Sequence, residues 1–109
     1  MWLEMLIPFR FIFATQVYFL LALTPNFSEA VELITGSENY VKYCADCHGA
    51  TGISVMPDAP SFAKNEGLIK SDTDLLNSIN NGKNAMPMYR GILNDQEILD
   101  IIFFIRTLN

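Results

Sequence analysis

The sequence predicts an all-α domain of three main helices joined by irregular loops. Three capped starts carry that prediction, each followed by apolar residues at helical spacing, and no strand pattern precedes the cysteines at 44 and 47. Length and composition agree. A chain of 109 residues sets one domain as the ceiling, and one that is 50% apolar and 17% charged is too hydrophobic to be mainly disordered. No internal repeat or low-complexity run interrupts the pattern.

The first thirty residues read as an export segment. Arg10 precedes an apolar run from Phe11 to Leu23, broken only by Thr15 and Gln16; Pro25 ends it, and Ser28-Glu29-Ala30 offers small residues at the spacing a signal peptidase reads. A membrane span needs about 20 residues. Residues 1–30 are therefore expected to be a cleaved signal peptide. The alternative is an uncleaved anchor giving membrane attachment, for which Trp2 to Phe9 would lengthen the apolar stretch. A buried N-terminal helix is a third reading, and Glu4 departs from a purely positive leading region. Cleavage after Ala30 leaves a domain at 31–109, a span with 6 basic and 10 acidic side chains. So short a chain has a thin core and commonly needs a disulfide, a metal or another staple.

Within that domain, Thr35-Gly36-Ser37-Glu38 has capping-box spacing. It predicts a helix that starts there, ends near Gly49, and carries Tyr40, Tyr43, Cys44 and Cys47 toward one side. Gly49 to Gly67, with Pro57 and Pro60, reads as irregular. Ser71-Asp72-Thr73-Asp74 caps a second helix with acids in its first turn, followed by Leu75, Leu76 and Ile79, and Asn81-Gly82 stops it. Asn94-Asp95-Gln96-Glu97 caps a third, in which Ile98, Ile101, Ile102, Ile105 and Leu108 form an apolar stripe. Leu99 and Phe103 fall off that stripe, either exposed or covered by a bound group or a partner.

Cys44-Ala45-Asp46-Cys47-His48 gathers both cysteines and the only histidine of the chain within five residues. Shuffling the sequence would produce this signature with odds on the order of 2 in 10,000. Residues three apart on a helix share a face, so both thiols can add across the vinyl groups of a haem while the adjacent imidazole reaches its iron. The competitors are weaker. A thioredoxin-like dithiol wants a strand-to-helix setting, a closed zinc site wants four ligands, and a local Cys44–Cys47 disulfide ranks with the dithiol. One covalent haem c is the expected cofactor, and His48 the expected iron ligand. No other His or Cys remains for the opposite axial position, so Met56, Met86 and Met88 are the candidates downstream. Met86 is preferred because it lies in a loop between two helical patterns, with Pro87 fixing the backbone directly after it. A methionine that merely fills core would more often lie on a helix stripe.

Cys-x-x-Cys-His near the start of the domain, a Met-Pro loop about forty residues later and a C-terminal amphipathic helix together resemble a single-haem class I c-type cytochrome. The small cytochrome c domains associated with haem-copper oxidases are similar. The resemblance spans Thr35 to Leu108. It implies a small cytochrome c-like fold wrapped round one covalent haem, in which Gly36 and Tyr40 pack the first helix against Phe104 of the last. It also implies that the Pro60 carbonyl, in Pro60-Ser61-Phe62, accepts a hydrogen bond from the other imidazole nitrogen of His48. Pro57 offers a rival carbonyl, and the acidic total departs from some basic relatives.

The function expected is one-electron transfer between exported or membrane-bound redox proteins, in the periplasm or an equivalent exported compartment. Two axial ligands leave iron no open position for substrate, and the sequence offers no paired carboxylates, activated nucleophile or phosphate loop, so an enzyme is not expected. The alternatives are a gas-binding or catalytic haem protein with an open iron site, and an electron-entry subunit of an oxidase or reductase complex. A net charge of −5 with no basic stripe excludes nucleic acid as a natural partner and favours redox proteins with a basic docking surface. Ile53 to Met56 and Ala85 to Tyr89 are the uncharged segments expected at the docking face, with Asp46, Asp58, Asp72 and Asp74 around them.

Overall fold

The computed structural model describes residues 27–109, so the expected leader lies outside the described residues as far as Asn26. Helix α1 spans Phe27–Tyr43 and a single turn, α2, spans Ala45–His48. A 3-10 turn at Phe62–Lys64 follows, then α3 at Asp72–Asn81 and α4 at Asp95–Ile105.

The start of α1 corrects the expectation drawn from Thr35 to Glu38. The chain is already helical at Phe27, eight residues earlier, because Ala30, Glu32 and Leu33 are good helix formers that carry the helix straight through the capping pattern. Ser37 instead turns its hydroxyl back onto the Ile34 carbonyl at 2.8 Å, the bond a serine makes inside a helix. At the other end α1 and α2 are almost continuous. The Cys44 N–H still donates to the Tyr40 carbonyl, and the His48 N–H to that of Cys44, each at 2.9 Å.

The two later helices start where their caps predict. The Ser71 hydroxyl accepts from the Asp74 N–H at 3.2 Å. Asn94 and Glu97 close a reciprocal capping box, at 3.0 Å from the Glu97 N–H to the Asn94 side chain and 2.8 Å from the Asn94 N–H to the Glu97 carboxylate. Asn80 ties the two helices together by donating to Asp95 at 2.9 Å.

The core is the crossing of α1 and α4. Ile98, Ile101, Ile102 and Ile105 bury the predicted stripe against Tyr40, with Leu68 and Leu93 closing the ends. Gly36 makes the crossing possible: a Cβ there would sit 2.1 Å from the Asp100 carbonyl oxygen, so only glycine lets the two backbones meet. The Tyr40 and Phe104 rings pack at 5.2 Å between centroids, the helix contact that the family resemblance implies. Leu99 is half-buried against this core, while Phe103 stays partly exposed. Beyond α4, Arg106 donates to the Leu68 carbonyl at 2.8 Å and the Lys70 carbonyl at 2.9 Å, and pairs with Asp72 at 2.6 Å. That clamp fixes the approach to α3 and engages one of the acids expected to steer a partner.

Candidate haem site

Cys44 and Cys47 are half-buried free thiols at the junction of α1 and α2. Burial pushes the Cys44 thiol up to about 11, with the neighbouring Cys47 adding to it. A redox-active dithiol needs the opposite, a thiol whose ionisation is made easier.

His48 is only 9% exposed. Its Nδ1 lies 3.0 Å from the Pro60 carbonyl oxygen. A carbonyl can only accept, so Nδ1 carries a proton, and in the neutral ring the lone pair is then on Nε2. Phe62 stacks on the imidazole with 4.6 Å between centroids and 21° between planes, which holds the ring's orientation. Of the two rival carbonyls, Pro57 and Pro60, the structure brings that of Pro60 to this ring. The loop from Ser54 to Met56 folds onto the end of the same turn, the N–H groups of Val55 and Met56 donating to the Cys47 carbonyl at 3.1 and 3.2 Å. Tyr40 supports it from beneath, its hydroxyl donating to the Gly49 carbonyl at 2.7 Å. Burial, with the Cys44 thiol second, pushes that phenol up to about 12.

Met86 arrives from the far side of the chain. Lys83 and Met86 exchange two backbone hydrogen bonds of 3.0 Å, which makes a tight turn with Asn84 at positive φ. Gly82, at φ +72 and ψ 164, lies against the backbone of Met86 to Met88. The Tyr89 hydroxyl donates to the Tyr43 carbonyl at 2.7 Å and so ties this loop to the residue preceding Cys44. Met86 is half-buried, whereas Met88 is 61% and Met56 41% exposed. The tyrosine tie was not anticipated from the sequence, since its partner lies 46 residues away and no local pattern joins them.

Two thiols on adjacent turns, an imidazole with one nitrogen committed and the other free, and a half-buried thioether on a braced loop form a donor set that fits a covalently attached haem. Among the described residues, no cluster of three or more His, Cys, Asp or Glu is arranged to hold a bare metal ion. No helix among them is long and apolar enough to cross a membrane.

Residues 32–105 match the family model described as cytochrome C oxidase, cbb3-type, subunit III. The chain is 32% identical over 78 residues to cytochrome c6 of Gracilaria tenuistipitata var. liui, covering 70% of this chain and 72% of that protein. It is 32% identical over 96 residues to cytochrome c6 of Thermosynechococcus vestitus, covering 84% and 83%. A third similarity, 35% over 86 residues, is to the cytochrome c subunit of a quinone alcohol dehydrogenase from Komagataeibacter europaeus; it covers 68% of this chain and 18% of that protein. With the family model spanning most of the domain and relatives matched over most of both lengths, the chain belongs to the class I c-type cytochromes, one-electron carriers that hold a single covalent haem c.

Proposed function

We propose that this cytochrome shuttles single electrons between exported or membrane-bound redox proteins, with Cys44 and Cys47 as the thioether anchors and His48 and Met86 as the two axial ligands. The bound haem supplies a reversible one-electron couple at its iron. The observation that carries the ligand assignment is the His48–Pro60 hydrogen bond, because it commits Nδ1 and leaves Nε2 as the nitrogen available to a metal. Pro60 is thus the residue that sets the tautomer. Half-burial and bracing favour Met86 over the exposed Met56 and Met88.

Partner contact is assigned to the uncharged face formed by Ile53 to Met56 and Ala85 to Tyr89, where Val55 is 70% exposed. Asp46, Asp58 and Asp74 are exposed and would steer a basic partner, while Asp72 is engaged by Arg106. Export rests on the leader at residues 1–30, and the four residues of α1 that cleavage after Ala30 would remove, Phe27 to Ala30, are all exposed. A second reading, an electron-entry subunit held in a larger complex, draws on the family description and on the similarity to a dehydrogenase cytochrome subunit. Gel filtration of a native extract separates the two readings.

The ligand assignment is tested by the weak long-wavelength charge-transfer band of a methionine-bound ferric haem. Met86→Ala is expected to abolish the band, open the iron to imidazole or carbon monoxide and lower the potential, and Met88→Ala to do none of these. Loss of the band in Met88→Ala alone would reassign the ligand.

A further inference from the structure

The peptide unit between Pro60 and Ser61 is hydrogen-bonded on both of its edges. Its carbonyl oxygen accepts from His48 Nδ1 at 3.0 Å, and its N–H donates to Oε2 of Glu66 at 2.7 Å. The two bonds share one resonant amide. A carboxylate pulling on the N–H shifts electron density toward the carbonyl oxygen, and bonds chained in this way strengthen each other. The Glu66 bond is charge-assisted and short, which is the strong kind.

The geometry is built rather than incidental. Asn65, at φ +61, reverses the chain after the 3-10 turn, and the Glu66 N–H donates to the Ser61 carbonyl at 3.2 Å while its side chain accepts from the Ser61 N–H. Glu66 therefore grips Ser61 twice. Ser61 is buried, and its hydroxyl accepts from the Ser54 N–H at 3.0 Å, so the peptide plane is held from a third direction.

We propose that Glu66 is a positioning residue for electron transfer: its negative charge, passed through the Pro60–Ser61 peptide to the Nδ1–H of His48, makes the imidazole a stronger donor and lowers the reduction potential of the iron. The inference rests on His48 being the axial ligand. A better acceptor opposite Nδ1–H raises the basicity of the imidazole, and a more basic ligand favours ferric over ferrous iron.

The test is redox titration of the holoprotein with Glu66→Gln, in which the amide oxygen still accepts from Ser61 N–H but the charge is gone. At a fixed ambient potential the ferric-to-ferrous ratio is expected to fall about threefold, equivalent to about 28 mV at 59 mV per tenfold change. The absorption spectrum and charge-transfer band should stay as in the wild type. In the ferrous protein, the 15N resonance of His48 Nδ1 should move toward that of a less polarised N–H. Asp58→Asn removes another exposed carboxylate, two residues before Pro60, and should leave that resonance in place and move the ratio less. An unchanged ratio in Glu66→Gln, or equal shifts in the two variants, would overturn the proposal, since surface charge alone would then account for the effect. A wild-type spectrum without histidine ligation would instead overturn the assignment of His48, and the proposal with it.

Discussion

The support of the Met86 loop by a glycine can be tested with a single methyl group. Gly82 sits at φ +72 and ψ 164, a region in which a residue with a Cβ is strained by about 1–3 kcal/mol. A Cβ there would also lie 2.8 Å from both the Met86 carbonyl oxygen and the Met88 nitrogen, and 2.9 Å from the Pro87 carbonyl carbon. Ordinary contact begins at 3.4 Å, and all three atoms are backbone, so no side chain can swing away to make room. Relief requires the loop to move, and forced overpacking of this kind costs about 1–3 kcal/mol. Lower entropy of the unfolded chain returns about 0.4–1 kcal/mol, which leaves Gly82→Ala destabilising by about 1–6 kcal/mol. In a domain of this size each kcal/mol lowers Tm by about 4–8 °C, so a drop of at least about 4 °C is expected. Gly91→Ala is the matched control. Gly91 has φ +83 but no atom within 4 Å of the added Cβ, so it carries backbone strain without the collision. The assay is thermal unfolding with the charge-transfer band followed in parallel. Gly82→Ala should weaken the band below the melting range while Gly91→Ala preserves it, and identical behaviour of the two variants would refute the argument.

Three other outcomes are expected. Tyr89→Phe removes the 2.7 Å bond to the Tyr43 carbonyl, which should cost about 1 kcal/mol of stability and raise the affinity for added imidazole several-fold, read by spectral titration. Replacing both Cys44 and Cys47 by alanine should abolish cooperative thermal unfolding, because the covalent group supplies apolar filling that the thin core lacks; a sharp transition in that haem-free double variant would contradict this. Tyr40 has its ionisation pushed up to about 12 by burial, with Cys44 second, so the unfolded chain loses this proton first. Its contribution is whole below pH 10 and declines as pH rises from about 10 to about 12, at up to about 1.4 kcal/mol per unit. Tyr40→Phe should flatten that decline in denaturant titrations.

The parts of this structure that were legible in the sequence are those whose partners are close along the chain. Ser71 reaches Asp74 and Asn94 reaches Glu97, so both caps can be read from four residues and both helices begin where predicted. Cys44, Cys47 and His48 lie within five consecutive residues, so the expectation of a covalent haem there needed no tertiary information. The start of α1 failed for a related reason. A capping pattern is permissive, and inside a run of helix formers the backbone keeps its own hydrogen bonds while Ser37 turns inward to Ile34. Gly36 against Asp100, Tyr89 on Tyr43 and the peptide shared by His48 and Glu66 were beyond local pattern, because two of them join distant segments and the third depends on a chain reversal at Asn65.

The two faces of the site are secured by different means, and this decides which yields first. On the histidine side, a buried ring is stacked on Phe62, its Nδ1 is committed to Pro60, and the loop beyond Cys47 bonds back to that residue's carbonyl. On the methionine side, the half-buried Met86 depends on a two-bond turn, a glycine contact and one tyrosine hydroxyl. Segments with fewer buried partners open at lower free energy than the core that carries them. With Met86 as the axial ligand, its bond to the iron is therefore the first to exchange on warming or with added ligand, while His48 stays in place until α1 and α4 separate. Loss of the charge-transfer band should precede loss of helicity in a thermal scan, and coincidence of the two transitions would mean that the loop and the helix crossing form one cooperative unit.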